Sequence, residues 1–139
     1  MTLETHLIIS IGLKTIKLFH FILEKILEMD GNNETAQSEL ALAFESSGRD
    51  PLEVYRKRYE DNPENSSYGL DYADRLSQVE RYDDAVNALE NVIQLDPSSK
   101  IAYRKLGEAQ KSLDNLAEAA KAYEELFKID SRDARVAIE

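Results

Sequence analysis

Apolar residues recur at helical spacing from the start of the chain. Residues 7–29 read LIISIGLKTIKLFHFILEKILEM, in which Ser10, Lys14, Lys17, Glu24 and Glu28 fall three, four and seven apart and form one narrow polar stripe. The rest of that helix is apolar, so cover is expected on several sides, from its own domain or from another chain. Gly12 would permit a break that sets residues 2–11 apart as a helix of their own. Further on, Tyr103, Leu106 and Gln110 predict a helix that ends in a polar turn at Asp114 and Asn115. Ala119, Tyr123, Leu126 and Phe127 then line a second helix.

That two-helix unit repeats. A shift of 34 residues lays 66–99 onto 100–133 without a gap: Ala85 meets Ala119, Ala88 meets Ala122, Glu90 meets Glu124 and Asp96 meets Asp130. Apolar character is kept at Tyr82/Leu116, Val86/Ala120, Val92/Leu126, Ile93/Phe127 and Leu95/Ile129. Earlier, Leu40, Ala41 and Phe44 match Tyr72, Ala73 and Leu76 at a shift of 32, which implies a two-residue deletion placed at Ser46 to Pro51. Gly48 can end the first helix there, and Pro51 can open the next, over about 51–61. At a shift of 66, Phe19, Leu23, Ile26, Leu27, Met29, Asp30 and Gly31 fall on Ala85, Leu89, Val92, Ile93, Leu95, Asp96 and Pro97. The apolar N-terminal helix therefore reads as the second helix of a preceding, atypical unit.

The order of these residues resembles the tetratricopeptide repeat family: an aromatic, then Leu and Gly, a small Ala, a large ring and a helix-ending Pro. Residues 100–133 carry Tyr103, Leu106, Gly107, Ala119 and Tyr123, with Ser131 where Pro is usual. Residues 66–99 carry Tyr72, Ala73, Tyr82, Ala85, Leu89 and Pro97, with Gly69 in place of the first aromatic. Small residues at Ala73, Ala85, Gly107 and Ala119 let paired helices approach, and the large residues beside them fill the gaps. The resemblance implies an all-α, right-handed solenoid of antiparallel helix pairs, about three repeats plus an N-terminal helix. Its parts would be an apolar segment at 1–33, a degenerate repeat at 34–65, repeats at 66–99 and 100–133, and a C-terminal stub or minimal cap at 134–139.

In this family the first helices of the pairs line a concave groove that binds a peptide. The resemblance places Ser38 and Leu42, then Leu70, Asp74 and Gln78, then Arg104, Glu108 and Lys111 along it. It also argues against the clamp for acidic chaperone C-termini, which needs Lys and Asn on the early first helices. Only Arg104 has the right charge, and Asp74 and Glu108 would repel a carboxylate.

Charge narrows the partners. The chain has 139 residues with 17 Lys and Arg against 27 Asp and Glu, a net −10, and residues 1–29 sum to zero, so the remainder carries the whole charge. Nucleic acid is excluded as a partner because no run of cations lies on one face, and a basic peptide or protein is favoured. A membrane span is not expected, since LIISIGL and LFHFIL are short. Lys14, Lys17, Glu24 and Lys25 would each cost about 2.5–3.5 kcal/mol near the centre of a spanning helix. No export signal is read, and the cytoplasm is the expected compartment.

The chemical inventory is poor. There is no Cys, only His6 and His20 offer imidazole, and carboxylate pairs such as Asp83/Asp84, Glu124/Glu125 and Asp71/Asp74 occupy polar helix-surface or turn contexts. Neither a metal site nor a cofactor is expected, and catalysis is not; His20 reads as a packed or partly exposed ring. Two working surfaces remain: the groove of a peptide-binding adaptor, or an assembly surface on the N-terminal helix or last unit. Tyr123, Phe127 and Ile129 would lack cover if SRDARVAIE formed no cap, and self-association is one outcome.

Overall fold

A computed structural model describes the backbone of residues 3–31 and 33–138, and the side chains of 12 and 14–137 apart from residue 32. Among the described residues all regular structure is helical: α1 Leu3–Met29, α2 Glu34–Ser46, α3 Leu52–Asp61, α4 Ser66–Gln78, α5 Tyr82–Leu95, α6 Lys100–Ser112 and α7 Leu116–Ile138. The chain divides into two compact units, residues 1–61 and 62–139. In the first, α1 packs on α2 and α2 on α3; in the second each helix packs on the next and α4 also touches α6.

The repeat is written into the backbone. Asn33, Asn65 and Ser99, spaced 32 and 34 apart, cap the starts of α2, α4 and α6, with side-chain oxygens accepting from the amides of Ala36, Tyr68 and Ala102. Each cap satisfies an amide that has no partner inside its helix. Fifteen residues after each cap comes a left-handed residue, Gly48, Glu80 and Asp114, with φ of 73°, 61° and 62°. The next amide donates back five residues, Arg49 to the Phe44 carbonyl, Arg81 to Leu76 and Asn115 to Gln110, all at 2.8–2.9 Å. This is the helix stop that a left-handed residue permits. The two-residue deficit of the 34–65 unit therefore falls between Gly48 and Asn65, where α3 has 10 residues against 14 in α5 but starts two residues later after its left-handed residue.

Helix ends follow the punctuation. Pro97 cannot continue α5, which stops at Leu95. Ser131 stands at the matching place in α7, donates its hydroxyl to the Phe127 carbonyl, and lets the helix run on to Ile138. Lys100 fastens that extension to the start of α6 through Asp130 at 2.9 Å and Asp133 at 2.6 Å. Gly12 does not break α1, which is one helix through it; a lone Gly costs only about 1 kcal/mol against Ala and is tolerated.

Leu76, Leu89 and Val92 are fully buried, so the second unit draws most of its packing from the α4–α5–α6 seam, each such side chain contributing roughly 1.5–3 kcal/mol. The first unit has a smaller core of Leu23, Ala36, Leu40 and Phe44, edged by Leu27 and Val54. The expected cover over α1 is largely missing among the described residues: Leu23 is buried, but Ile16, Leu18, Phe19, Phe21, Ile22, Ile26 and Met29 are exposed. At the other end Ile129 is buried while Tyr123 and Phe127 are not, so the missing cover there concerns two residues and not three. The side chains of His6 and Ser10 lie outside the described residues.

Candidate functional site

On α6, Ile101, Arg104, Glu108 and Lys111 recur three or four apart and make one exposed stripe. On α4 the same phase is held by Leu70 and Asp74, both half-buried, and Gln78, which is exposed. Contact between α4 and α6 sets the two stripes side by side, and Lys105 ties them by donating to the Asp74 carboxylate. Six of the eight residues singled out from the sequence are thus brought onto one face of the second unit. Ser38 and Leu42 belong to α2 in the first unit, where both are exposed and the Ser38 hydroxyl donates to the Glu34 carbonyl.

The electrostatics of this face depart from the sequence reading. Asp74 is engaged by Lys105, so it is a weaker repellent of a carboxylate than its charge suggests, although a half-exposed pair of this kind contributes only about 0–1 kcal/mol. Glu108 is left between Arg104 and Lys111 on the same stripe. Gln78 accepts from the Arg75 guanidinium at 2.5 Å, which fixes its amide oxygen and leaves its NH2 to donate outward. The face is therefore mixed in charge, while the second unit as a whole has 10 basic and 16 acidic residues, net −6. Long-range attraction for a basic partner comes from the unit, and close contact from a stripe that offers donors, acceptors and the half-exposed Ile101.

Sequence reasoning passed over Lys105 and Ile101. Ile101 was legible, since it lies one turn before Arg104 on the same stripe. Lys105 was not, because its partner is 31 residues away and the pairing depends on how α4 meets α6.

The first unit holds a second concavity, about 410 Å³, floored by Leu27, Leu40, Phe44 and Val54 and rimmed by Arg49, Lys57, Arg58, Glu24, Glu28, Glu53 and Asp61. It lies among α1, α2 and the short α3. The Arg49 guanidinium stacks 4.0 Å over Phe44, whose ring also meets His20 edge-on at 5.5 Å, so His20 is a packed ring. No group of three His, Cys, Asp or Glu able to hold a metal occurs among the described residues, and no described helix is long and apolar enough to cross a membrane.

Residues 70–134 match the family model described as tetratricopeptide repeat. The chain is 30% identical over 112 residues to the small glutamine-rich tetratricopeptide repeat-containing protein 2 of Saccharomyces cerevisiae, covering 81% of this chain and 30% of that protein. It is 32% identical over 79 residues to the protein of the same name from Mycosarcoma maydis, covering 57% and 22%. The chain thus spans less than a third of the curated relatives it matches. Among solved structures, a MamA structure superposes with a TM-score of 0.67 at 18% identity, covering 95% of this chain and 71% of that one. The second TPR of Spaghetti (RPAP3), bound to the HSP90 peptide SRMEEVD, superposes with a TM-score of 0.59 at 19% identity, covering 73% and 95%. At these identities the likeness is one of fold.

Proposed function

The chain is a tetratricopeptide repeat protein of all-α fold, and from that premise we propose that it is a non-catalytic scaffold binding a peptide or partner segment along α4 and α6. The observation that carries this reading is the pair of adjacent stripes, Leu70, Asp74 and Gln78 beside Arg104, Glu108 and Lys111, with Ile101 exposed among them. A ligand segment lies across both helices, covers Ile101 and Leu70, and exchanges hydrogen bonds with the mixed charges. Ser38 and Leu42 give α2 a stripe of the same kind in the first unit. The second TPR of RPAP3 is bound to an HSP90 peptide, which supports a peptide-holding role for the shared fold. The face offers carboxylates, guanidinium, amine and amide but neither imidazole nor thiol, which favours binding over chemistry. The cytoplasm is the compartment this reading assumes, and the net −6 of the second unit favours basic segments over acidic ones.

The test is fluorescence anisotropy with two pools of labelled amphipathic peptides, arginine-rich and glutamate-rich. Tighter capture of the arginine-rich pool, lost in an Ile101→Asp, Arg104→Ala double variant, supports the reading. Equal capture by the double variant sinks it.

A second reading, assembly through α7, is favoured by one contrast. Leu89 on α5 is 0% exposed, but its counterpart Tyr123 on α7 is 38% exposed, and Phe127 is 71% exposed where its counterpart Ile93 is half-buried, so α7 leaves open a face that α5 has covered. In this reading a partner helix takes that seat, and Phe127→Lys abolishes the association while leaving peptide capture on α4 and α6 intact.

A further inference from the structure

We propose that α1 is a self-association helix: two copies of the chain pack their α1 helices antiparallel, about a two-fold axis near Ile22. This concerns a different surface from the α4/α6 face and stands whether or not that face binds peptides.

The argument starts from which side of α1 is used. His20, Leu23 and Leu27 form the side that meets α2, packing with Phe44, Leu40 and Ala36. Leu18, Phe19, Ile22, Ile26 and Met29 recur one, three or four apart on an adjoining side, and all are exposed, Met29 at 90%. That is about three turns of continuous apolar surface, the kind of patch that marks an interaction site.

Charge says what covers it. A third side of α1 is polar, and it is graded: Lys14 and Lys17 lie toward its start, Glu24 and Glu28 toward its end, with Lys25 held by Glu28 at 2.6 Å in the same chain. In an antiparallel pair the polar side of one helix faces the polar side of the other running in reverse, so about an axis at Ile22 Lys14 comes within a turn of Glu28, and Lys17 within a turn of Glu24 and Glu28. A second copy is thus self-complementary, as a two-fold interface requires. A parallel pair would set the polar side against the side already occupied by α2. Residues 1–29 sum to zero while the remainder carries −10, so α1 is also where two acidic copies approach with least repulsion.

Sedimentation equilibrium of the full chain from low to high micromolar concentration reads the association, and cysteine cross-linking reads the direction, the chain having no Cys of its own. The expected result is a species of twice the 15.8 kDa chain mass, weakened at least tenfold by Ile22→Lys with helicity unchanged. Ile22→Cys should cross-link to itself under mild oxidation and Met29→Cys should not. A monomer throughout the range overturns the proposal. So does a dimer that survives Ile22→Lys but is lost on Phe127→Lys, or Met29→Cys cross-linking as readily as Ile22→Cys.

Discussion

The ring of Tyr123 on α7 fills the space beside Gly107 on α6 so closely that a Cβ there would lie 2.6 Å from Cζ and 2.7 Å from Cε1. One repeat earlier the same two places hold Ala73 and Leu89. The small and the large residue are therefore a matched pair, and swapping one alone leaves a clash.

The match sets up a double-mutant cycle. Gly107→Ala should gain about 1 kcal/mol from helix propensity when Leu stands at 123, as it does at Leu89. With Tyr123 in place the ring must swing outward, and overpacking of about 1–2 kcal/mol should cancel that gain or reverse it. Urea unfolding of the four variants measures the coupling, and additive effects would show that the ring and Gly107 are not matched.

Glu80 and Asp114 hold left-handed φ angles where the first unit uses Gly48. Such a conformation costs an L-residue about 1–2 kcal/mol, less for Asp, which is better tolerated there than Glu. Glu80→Gly should stabilise the fold by about 0.5–1 kcal/mol after the added freedom of the unfolded chain is subtracted, and Asp114→Gly by less. Thermal midpoints of the two variants give the order, and a loss of stability in both would contradict the strain.

Lys100 has its pKa raised, first by hydrogen bonding to Asp133 and then to Asp130. A raised folded pKa means that the stabilisation is fully present below the ordinary lysine value of 10.5 and is lost as pH climbs through the higher folded value. On the alkaline side, the hold of α6 on the extended α7 should loosen in that window. Lys100→Met should flatten the change; an unaltered alkaline transition in the variant would show that the ion pairs do not fasten α7.

Much of this architecture was legible because it depends on local chemistry. Pro97 and Gly48 stop helices through their own backbone limits, and the spacing of Ala73, Ala85, Gly107 and Ala119 gave the small seams, whereas the caps at Asn33, Asn65 and Ser99 went unread although they recur at the same spacing. The exposed side of α1 was not legible, because composition shows that a helix is apolar but not which neighbours arrive. The α4/α6 face was legible as positions and not as electrostatics. Asp74 read alone is a charge, and Lys105 becomes its partner only when two helices 31 residues apart are laid together.

That pairing has a consequence for selectivity. Lys105→Ala should release the Asp74 carboxylate onto the face and tighten binding of arginine-rich peptides by about 2–5-fold, in keeping with the small worth of an exposed pair. Competition binding at two salt concentrations measures it, and weaker binding would mean that Lys105 itself touches the ligand.

The most direct measurement is amide NMR of the full chain titrated with the arginine-rich peptide pool. Shifts should gather at Leu70, Asp74, Gln78, Ile101, Arg104, Glu108 and Lys111 and saturate together. Shifts confined to α1, to α7 or to the cavity of the first unit, with the α4 and α6 amides unmoved, would contradict the peptide-binding role.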